Sequence, residues 1–441
     1  MANDVQLQIA AFSSQVSYRV GEDFKLHVAV SGGRRFATQI IRLGWYGGAG
    51  GRIVRDIPER PGPSQPACTS PDGFGTVECP WSATVQEPIT SDWVSGVYEA
   101  VLTTNDHIQA VVPFVVRDGR TSTFVHVSSF NNYAAYNNFP DGFTDGRGRS
   151  FYTSPATVRS SFDRPLSFLT GFMQFYRYEP PMVQFLERNG YDVTYAADPD
   201  VDAQGAALIR RSSGVIYSSH PEYWTPAQRA ATFDAPRTGR DLVFVAANIA
   251  HWPVRFEDGA DGAPRRRVVG YKDVAADPIV AVDPALRTDR RYHQLPGQAE
   301  QFFVGGQYVS GAYVADYAHQ PLVVGAGVDH WAMSGSGLTT GETLPGEYAG
   351  YEVDSFDPRY GLPSDMTVLM SSPFAGSGIN VVQRSVMIEH PGSGFVFNTG
   401  SMAWAWGLSP GFGTTPARAA TNENPALQRI TRNVLDRIAT R

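Results

Sequence analysis

Ser218-Ser219-His220-Pro221-Glu222-Tyr223-Trp224 is the stretch on which the reading of this chain turns. It follows a short apolar run, Gly214-Val215-Ile216-Tyr217, that reads as a buried strand. It precedes Thr225-Pro226-Ala227-Gln228-Arg229-Ala230-Ala231, a helix start with Thr225 as N-cap and Pro226 at the first helical position. A histidine, a glutamate and two aromatic residues are thereby placed at the carboxyl end of a sheet strand. In open α/β sheets that edge is where ligands bind.

The pattern around this stretch supports the same sheet. Phe124-Val125-His126-Val127 is a short buried strand, and Pro181-Met182-Val183-Gln184-Phe185-Leu186-Glu187-Arg188 is a helix closed by Asn189-Gly190. Strands at Tyr191-Asp192-Val193-Thr194-Tyr195, 214–217 and Leu242-Val243-Phe244-Val245-Ala246 follow, with the helix from Thr225 between the last two. This β-α-β-β-α-β order predicts a mostly parallel sheet covered by helices over residues 119–441. Gly394-Phe395-Val396-Phe397 adds a buried strand, and Pro425 to Leu435 has the apolar spacing of a terminal helix. Residues 265–365 give weak signals.

Residues 1–118 read differently. Val5-Gln6-Leu7-Gln8-Ile9, Phe24-Lys25-Leu26-His27-Val28-Ala29-Val30, Thr38-Gln39-Ile40-Ile41-Arg42-Leu43 and Gly96-Val97-Tyr98-Glu99-Ala100-Val101-Leu102 alternate between apolar and polar residues. Short alternating strands separated by turns predict a β-sandwich. Gly47-Gly48-Ala49-Gly50-Gly51 has no helix after it, so it reads as a hairpin or loop and not as a phosphate loop. Cys68 and Cys79 lie in a Pro/Gly-rich loop, where a disulfide and two free thiols are both open.

Composition narrows the function. The chain has 441 residues, 42% of them hydrophobic, enough for two or three domains with their own cores. A net charge of -7 argues against a nucleic-acid partner, which favours a basic face. Only two residues are lysine, Lys25 and Lys272, so nearly all the positive charge is arginine. No apolar run reaches the ~18 residues that a membrane span needs. The start, Met1-Ala2-Asn3-Asp4, lacks the regions of a signal peptide, which leaves a cytoplasmic protein or one whose signal has been removed.

Four segments follow strands and converge on one rim if the sheet is parallel: Ser128-Ser129-Phe130, Ser218-Ser219-His220, Ala247-Asn248-Ile249-Ala250-His251-Trp252 and Asn398-Thr399-Gly400-Ser401. His220, Glu222 and Asn248 then share a pocket. The long connection between 129 and 180 is rich in rings, among them Phe130, Tyr133, Tyr136, Phe143, Tyr152, Tyr176 and Tyr178. It is either a packed aromatic cover or a functional loop.

A G-x-S-x-G elbow is absent: Gly335-Ser336-Gly337, Gly376-Ser377-Gly378 and Gly392-Ser393-Gly394 lack its flanks. Both cysteines lie in the first domain, so hydrolysis on the α/β sheet requires activated water. His220-x-Glu222 alone is a weak metal signal, more often a hydrogen-bonded strand cap. A metal held here would use carboxylate and phenolate oxygens, a hard donor set that favours ferric iron.

His220-Pro221-Glu222-Tyr223-Trp224 and Asn248-Ile249-Ala250-His251-Trp252-Pro253-Val254-Arg255-Phe256-Glu257 resemble the large (β) subunit family of N,N-dimethylformamidase. Arg42-Leu43-Gly44-Trp45-Tyr46-Gly47-Gly48, Tyr136-Asn137, Ser161-Phe162-Asp163-Arg164-Pro165, Gly350-Tyr351-Glu352-Val353-Asp354 and Trp404-Ala405-Trp406-Gly407-Leu408 extend the resemblance over nearly the whole chain. It implies a β-sandwich followed by a glutamine-amidotransferase-like α/β domain that lacks the catalytic cysteine. It also implies hydrolysis of a small amide C–N bond at one ferric iron (Fe3+). In that reading Glu222, Tyr136 and Tyr152 hold the metal, with Tyr176 or Tyr178 in place of Tyr152 as alternatives, and His220, Asn248 and Glu352 stand beside it as catalytic residues. Pro180, Pro221 and His251 depart from the residues common in the family. A homo-oligomer or a small partner subunit is left open. Two other readings remain: a non-catalytic binding or secreted scaffold protein, and a different reaction, such as an oxidation, at the same metal.

Overall fold

The computed structural model describes residues 8–140, 148–309, 319–376 and 379–441. Residues 1–7, Phe143 of the ring-rich crossover and Ser377-Gly378 lie outside the described residues.

The alternating segments form two sheets. One has three strands in the order Ile9–Ser13, Asp23–Val30, Ala83–Pro88. The other has five, in the order Ser17–Arg19, Gln109–Arg117, Gly96–Thr104, Arg35–Leu43, Gly51–Pro61. Along Asp23–Val30 every second side chain is buried, as a half-covered sheet requires. Phe24 and Phe114 stack between the sheets with centroids 4.3 Å apart, beside Trp93 and Tyr98. The glycine-rich segment is the turn between Arg35–Leu43 and Gly51–Pro61. Gly47 and Gly48 there have φ of 68° and 98°, in the region that favours glycine. Cys68 and Cys79 are joined in a disulfide.

Arg42, at the end of a sandwich strand, clamps this part to the rest. Its guanidinium donates to both oxygens of Glu187, at 2.6 and 2.9 Å, on the helix Pro180–Arg188. It also donates to the Ser95 carbonyl at 2.8 Å and the Tyr46 hydroxyl at 2.8 Å. The conspicuous Arg-Leu-Gly-Trp-Tyr motif is thus a joint between the sandwich and the helix Pro180–Arg188. Gly44 is required there, because a Cβ would meet a Glu187 oxygen at 2.1 Å.

A third sheet has nine strands, in the order Val193–Ala197, Ser122–Ser128, Ser212–Ser219, Asp241–Ala246, Phe395–Asn398, Ile379–Glu389, Met366–Gly376, Gln320–Val324, Thr343–Ala349. The first five are parallel. The remaining pairings are antiparallel, so the expectation of a mostly parallel sheet holds for one half only. The antiparallel half is built by hairpin strands with polar interruptions such as Ser371-Ser372-Pro373 and Gln383-Arg384-Ser385, which hide their apolar pattern. Two helices missed by periodicity, Asp198–Gln204 and Ala206–Ile209, separate the second and third parallel strands. The first is too polar and the second, at four residues, too short for an apolar stripe to emerge. The helix Pro226–Phe233 begins as read, with the Thr225 hydroxyl accepting from the Gln228 N–H at 3.2 Å. The terminal helix runs Pro425–Ala439.

The ring-rich crossover is a structured cover. It contains the helices Phe130–Tyr136 and Met173–Tyr178 and a π-helical turn, Phe168–Phe172. Arg164, 2% exposed, holds it together by donating to the carbonyls of Phe139, Asn137 and Arg149.

Strand order locates the cleft. The chain enters the sheet at Ser122–Ser128, adds Val193–Ala197 on one side and then crosses to add Ser212–Ser219 on the other. This reversal opens a crevice at the carboxyl ends of Ser122–Ser128 and Ser212–Ser219, where α/β sheets bind ligands.

Candidate active site

His220 and Glu222 follow the strand Ser212–Ser219 directly at that crevice. The turn is tight: Ser219 has a φ of 71°. The next parallel strand ends at Ala246, and residues after it pair with those after Ser219. Ala250 N–H donates to the Pro221 carbonyl at 2.8 Å, and Trp252 N–H to the Glu222 carbonyl at 2.9 Å. Tyr223 and Trp224 then pair in parallel with Trp252 and Pro253. Asn248 and Ala250 have φ of 56° and 54°. Non-glycine residues in this region store strain, which persists where surrounding contacts over-determine it.

Glu352 comes from the other side of the sheet. Val353 bridges to Ser401, and Asp354 N–H donates to the Gly400 carbonyl at 2.9 Å. The Asp354 carboxylate accepts from the Asn248 N–H at 2.7 Å, which ties the two loops together.

These elements bring all six residues singled out in the sequence into one cluster. Tyr136, at the end of its helix, donates to Glu222 Oε2 at 3.2 Å and Glu352 Oε1 at 3.3 Å. Tyr152 donates to Glu222 Oε1 at 2.7 Å. His220 Nε2 lies 3.4 Å from Glu222 Oε2 and 3.2 Å from Glu352 Oε2. Asn248 Nδ2 donates to Glu352 Oε2 at 2.5 Å and lies 3.3 Å from His220 Nε2. The rings of Tyr136 and Tyr152 sit 4.4 Å apart. Tyr152 and Tyr176 are each about half exposed, but it is the Tyr152 hydroxyl that reaches Glu222, and Tyr178 stacks on Trp406 with centroids 5.2 Å apart.

Burial and crowding set the protonation. Burial pushes the Tyr136 and Tyr152 phenols well above their ordinary value, and the Glu222 charge pushes them further. Burial also raises Glu222, against the pull of His220. At Glu352 burial acts upward, but the His220 charge and hydrogen bonds from His220 and Asn248 outweigh it and hold the carboxyl low. At His220 burial acts downward and is outweighed by Glu352 and then Glu222, so the imidazole is raised. Gln174 Oε1, 3.3 Å from His220 Nδ1, accepts the proton there, so Nε2 is the nitrogen that gains or loses one. His220, Glu222 and Glu352 present ligand atoms within 4.8 Å of one another, an arrangement able to hold a cation.

The sequence model of the family described as "N,N-dimethylformamidase beta subunit-like, C-terminal" matches residues 37–420. The chain belongs to that family. The N,N-dimethylformamidase beta subunit of Paracoccus aminophilus is 24% identical over 343 residues, covering 67% of this chain and 41% of that protein. The subunit of the same name from Alcaligenes sp is 24% identical over 317 residues, covering 61% of this chain and 39% of that protein. The chain therefore spans about two fifths of the length of these relatives. A solved structure of an uncharacterized protein from Bacillus anthracis str. Ames aligns over 24% of this chain and 78% of its own at 12% identity. Its TM-score of 0.15 gives it no weight.

Three neighbours in this cluster were given no role by the sequence reading. Tyr223 shares a 2.5 Å contact with the Tyr152 hydroxyl, and because Tyr152 donates to Glu222, Tyr223 is the donor in that contact. Gln174 comes from the crossover. Lys272, with a φ of 58°, puts its ammonium over four rings: Tyr152 at 4.0 Å, Trp252 at 4.9 Å, Tyr223 at 5.2 Å and Phe151 at 5.7 Å. Burial lowers it to about 8, partly offset by Glu222 and Glu352. Its rarity as one of two lysines was the one available signal.

Proposed function

We propose that the chain hydrolyses the C–N bond of a small amide at a single ferric ion held by Tyr136, Tyr152 and Glu222. The observation that carries this reading is that both phenols donate to one carboxylate, at 3.2 and 2.7 Å, with His220 3.4 Å from it. Donor–donor spacings of this size suit an octahedral ion with bonds of about 2 Å, and the all-oxygen set suits a hard one. Bound there, ferric iron supplies Lewis-acid polarisation of the carbonyl and acidifies water.

The rest of the chemistry belongs to the chain. Both cysteines are in the sandwich disulfide, so the sheet offers no thiol and water is the nucleophile. Water adds to the carbonyl carbon, the C–N bond breaks, and one proton passes from water to the leaving amine. His220 Nε2 takes that proton and returns it, as a general base and then a general acid. Glu352 holds the imidazolium while it exists. Asn248 fixes Glu352 through its amide nitrogen, and its buried Oδ1, unpartnered among the described residues, is free to accept a hydrogen bond from water or the amine. The glutamine-amidotransferase likeness of the sheet belongs to this reading, as does a partner subunit, since both relatives are named beta subunits.

The test is iron analysis of purified protein together with its visible absorption and hydrolysis of small formamides. Iron at one per chain, a tyrosinate–iron band and loss of both in Glu222→Gln support the reading. Colourless, iron-free, inactive protein overturns it. Ligand binding that survives Glu222→Gln unchanged points instead to a binding protein built on the same scaffold.

A further inference from the structure

Three residues beyond Asn248, His251 begins a second cluster that the hydrolysis reading leaves unused. His251 Nδ1 lies 3.2 Å from Glu300 Oε1, and His293 Nε2 lies 2.5 Å from Glu300 Oε2. The side chains are 5%, 6% and 2% exposed in the order His251, His293, Glu300. They come from three segments: the loop after Asp241–Ala246, the 3-10 turn Arg291–Gln294 and the residue before the helix Gln301–Val304. Rings fix both imidazoles, Tyr308 and Trp252 against His251 and Tyr360 against His293.

One ligand atom from each of the three residues lies within 4.8 Å of the others. In a tetrahedral zinc site with bonds of about 2.0–2.1 Å, donor atoms are about 3.3 Å apart, so small side-chain shifts close this cluster on an ion. We propose that His251, His293 and Glu300 form a second cation site, for Zn2+ or a divalent ion of similar softness. Two imidazoles and a carboxylate are a zinc donor set, and three protein donors leave a fourth position for water. The site does not depend on the hydrolysis reading. Its effect falls on the loop carrying Asn248, which an ion at His251 would pin to the 290–300 segment.

Arg290 is the competitor. Its Nη2 lies 2.6 Å from His293 Nδ1, which makes that nitrogen an acceptor and leaves the proton on Nε2, facing Glu300. An ion on Nε2 moves the proton to Nδ1 and expels the guanidinium. Without an ion, the same residues close into a hydrogen-bonded array balanced by Arg290. The two states predict opposite effects of removing the arginine.

The experiment titrates Co2+ into the full chain after chelation, reads the visible bands of low-coordinate Co2+, and displaces it with Zn2+. In the Glu222→Gln background, where the crevice site is disabled, one ion per chain is expected, weakened by more than about a hundredfold when Glu300→Gln or His293→Asn is added. Arg290→Gln is expected to tighten binding by roughly tenfold, the scale of outer contacts to a metal-bound histidine. Circular dichroism confirms that each variant is folded, and Arg290→Gln keeps the test open if a ligand variant is not. No Co2+ binding, binding abolished by Glu222→Gln, or binding indifferent to Glu300→Gln with Arg290→Gln neutral or weaker overturns the proposal.

Discussion

Two places in this molecule pack charge out of water, and they do it in opposite ways. At the joint between sandwich and α/β sheet, one guanidinium meets one carboxylate through two hydrogen bonds, and the Ser95 carbonyl and Tyr46 hydroxyl take up further donors. Charge is balanced and geometry saturated. At the crevice, Glu222 and Glu352 share one imidazole, and the nearby ammonium of Lys272 is held among rings. Buried groups there shift in opposing directions: Glu222 is raised while Glu352 is lowered. A saturated pair holds parts together, whereas a cluster of acids crowded around too few cations costs stability and is characteristic of functional sites.

That contrast can be broken by mutation. Under the proposed reading, Glu222→Gln should lower formamide hydrolysis by at least about a hundredfold and remove the visible absorption. The same change relieves repulsion between buried acids, so metal-free Glu222→Gln should melt about 2 °C or more above metal-free wild type. A lower melting temperature would mean that Glu222 is a structural ligand of the fold.

At the joint the signs reverse. Arg42→Met leaves the Glu187 carboxylate without its cation and should cost about 3–5 kcal/mol in denaturant unfolding, with iron content per folded chain unchanged. Loss of iron in folded Arg42→Met would show that the two regions are coupled.

Glu179 sharpens the comparison from a third position. Its carboxyl accepts from Ser128 and Tyr133 beneath the crevice, and burial raises it to about 7. A carboxyl raised in the fold binds its proton more tightly than in the unfolded chain. Its stabilising contribution is therefore present below the unfolded value of 4.5 and is lost as pH rises through about 7. That shift corresponds to a loss on the order of 3 kcal/mol, and Glu179→Gln should lessen the pH dependence of melting between pH 5 and pH 8 by that share, while Glu99, Asp198 and Asp354, each raised to about 7 by burial, keep theirs. An equally steep pH dependence in the variant would assign the effect elsewhere. The sandwich disulfide gives the last test: Cys68→Ser with Cys79→Ser should cost about 2–3 kcal/mol and leave the crevice chemistry untouched.

Much of this was legible in the chain. Apolar runs ending at residues 127, 217 and 246, the Thr225-Pro226 cap and alternation before residue 118 are local signals, carried by a few neighbouring residues. His220 and Glu222 could be placed because they directly follow such a run. Other features depend on partners distant in sequence. The antiparallel half of the sheet, the contact of Tyr152 with Glu222, the approach of Lys272 and the meeting of His251 with His293 and Glu300 leave no period or spacing to read. The sequence by itself determined which segments become strands and helices, because backbone propensity and side-chain periodicity act over a few residues. Only the tertiary structure decided which side chains share a cleft, because packing brings together groups that no local rule connects.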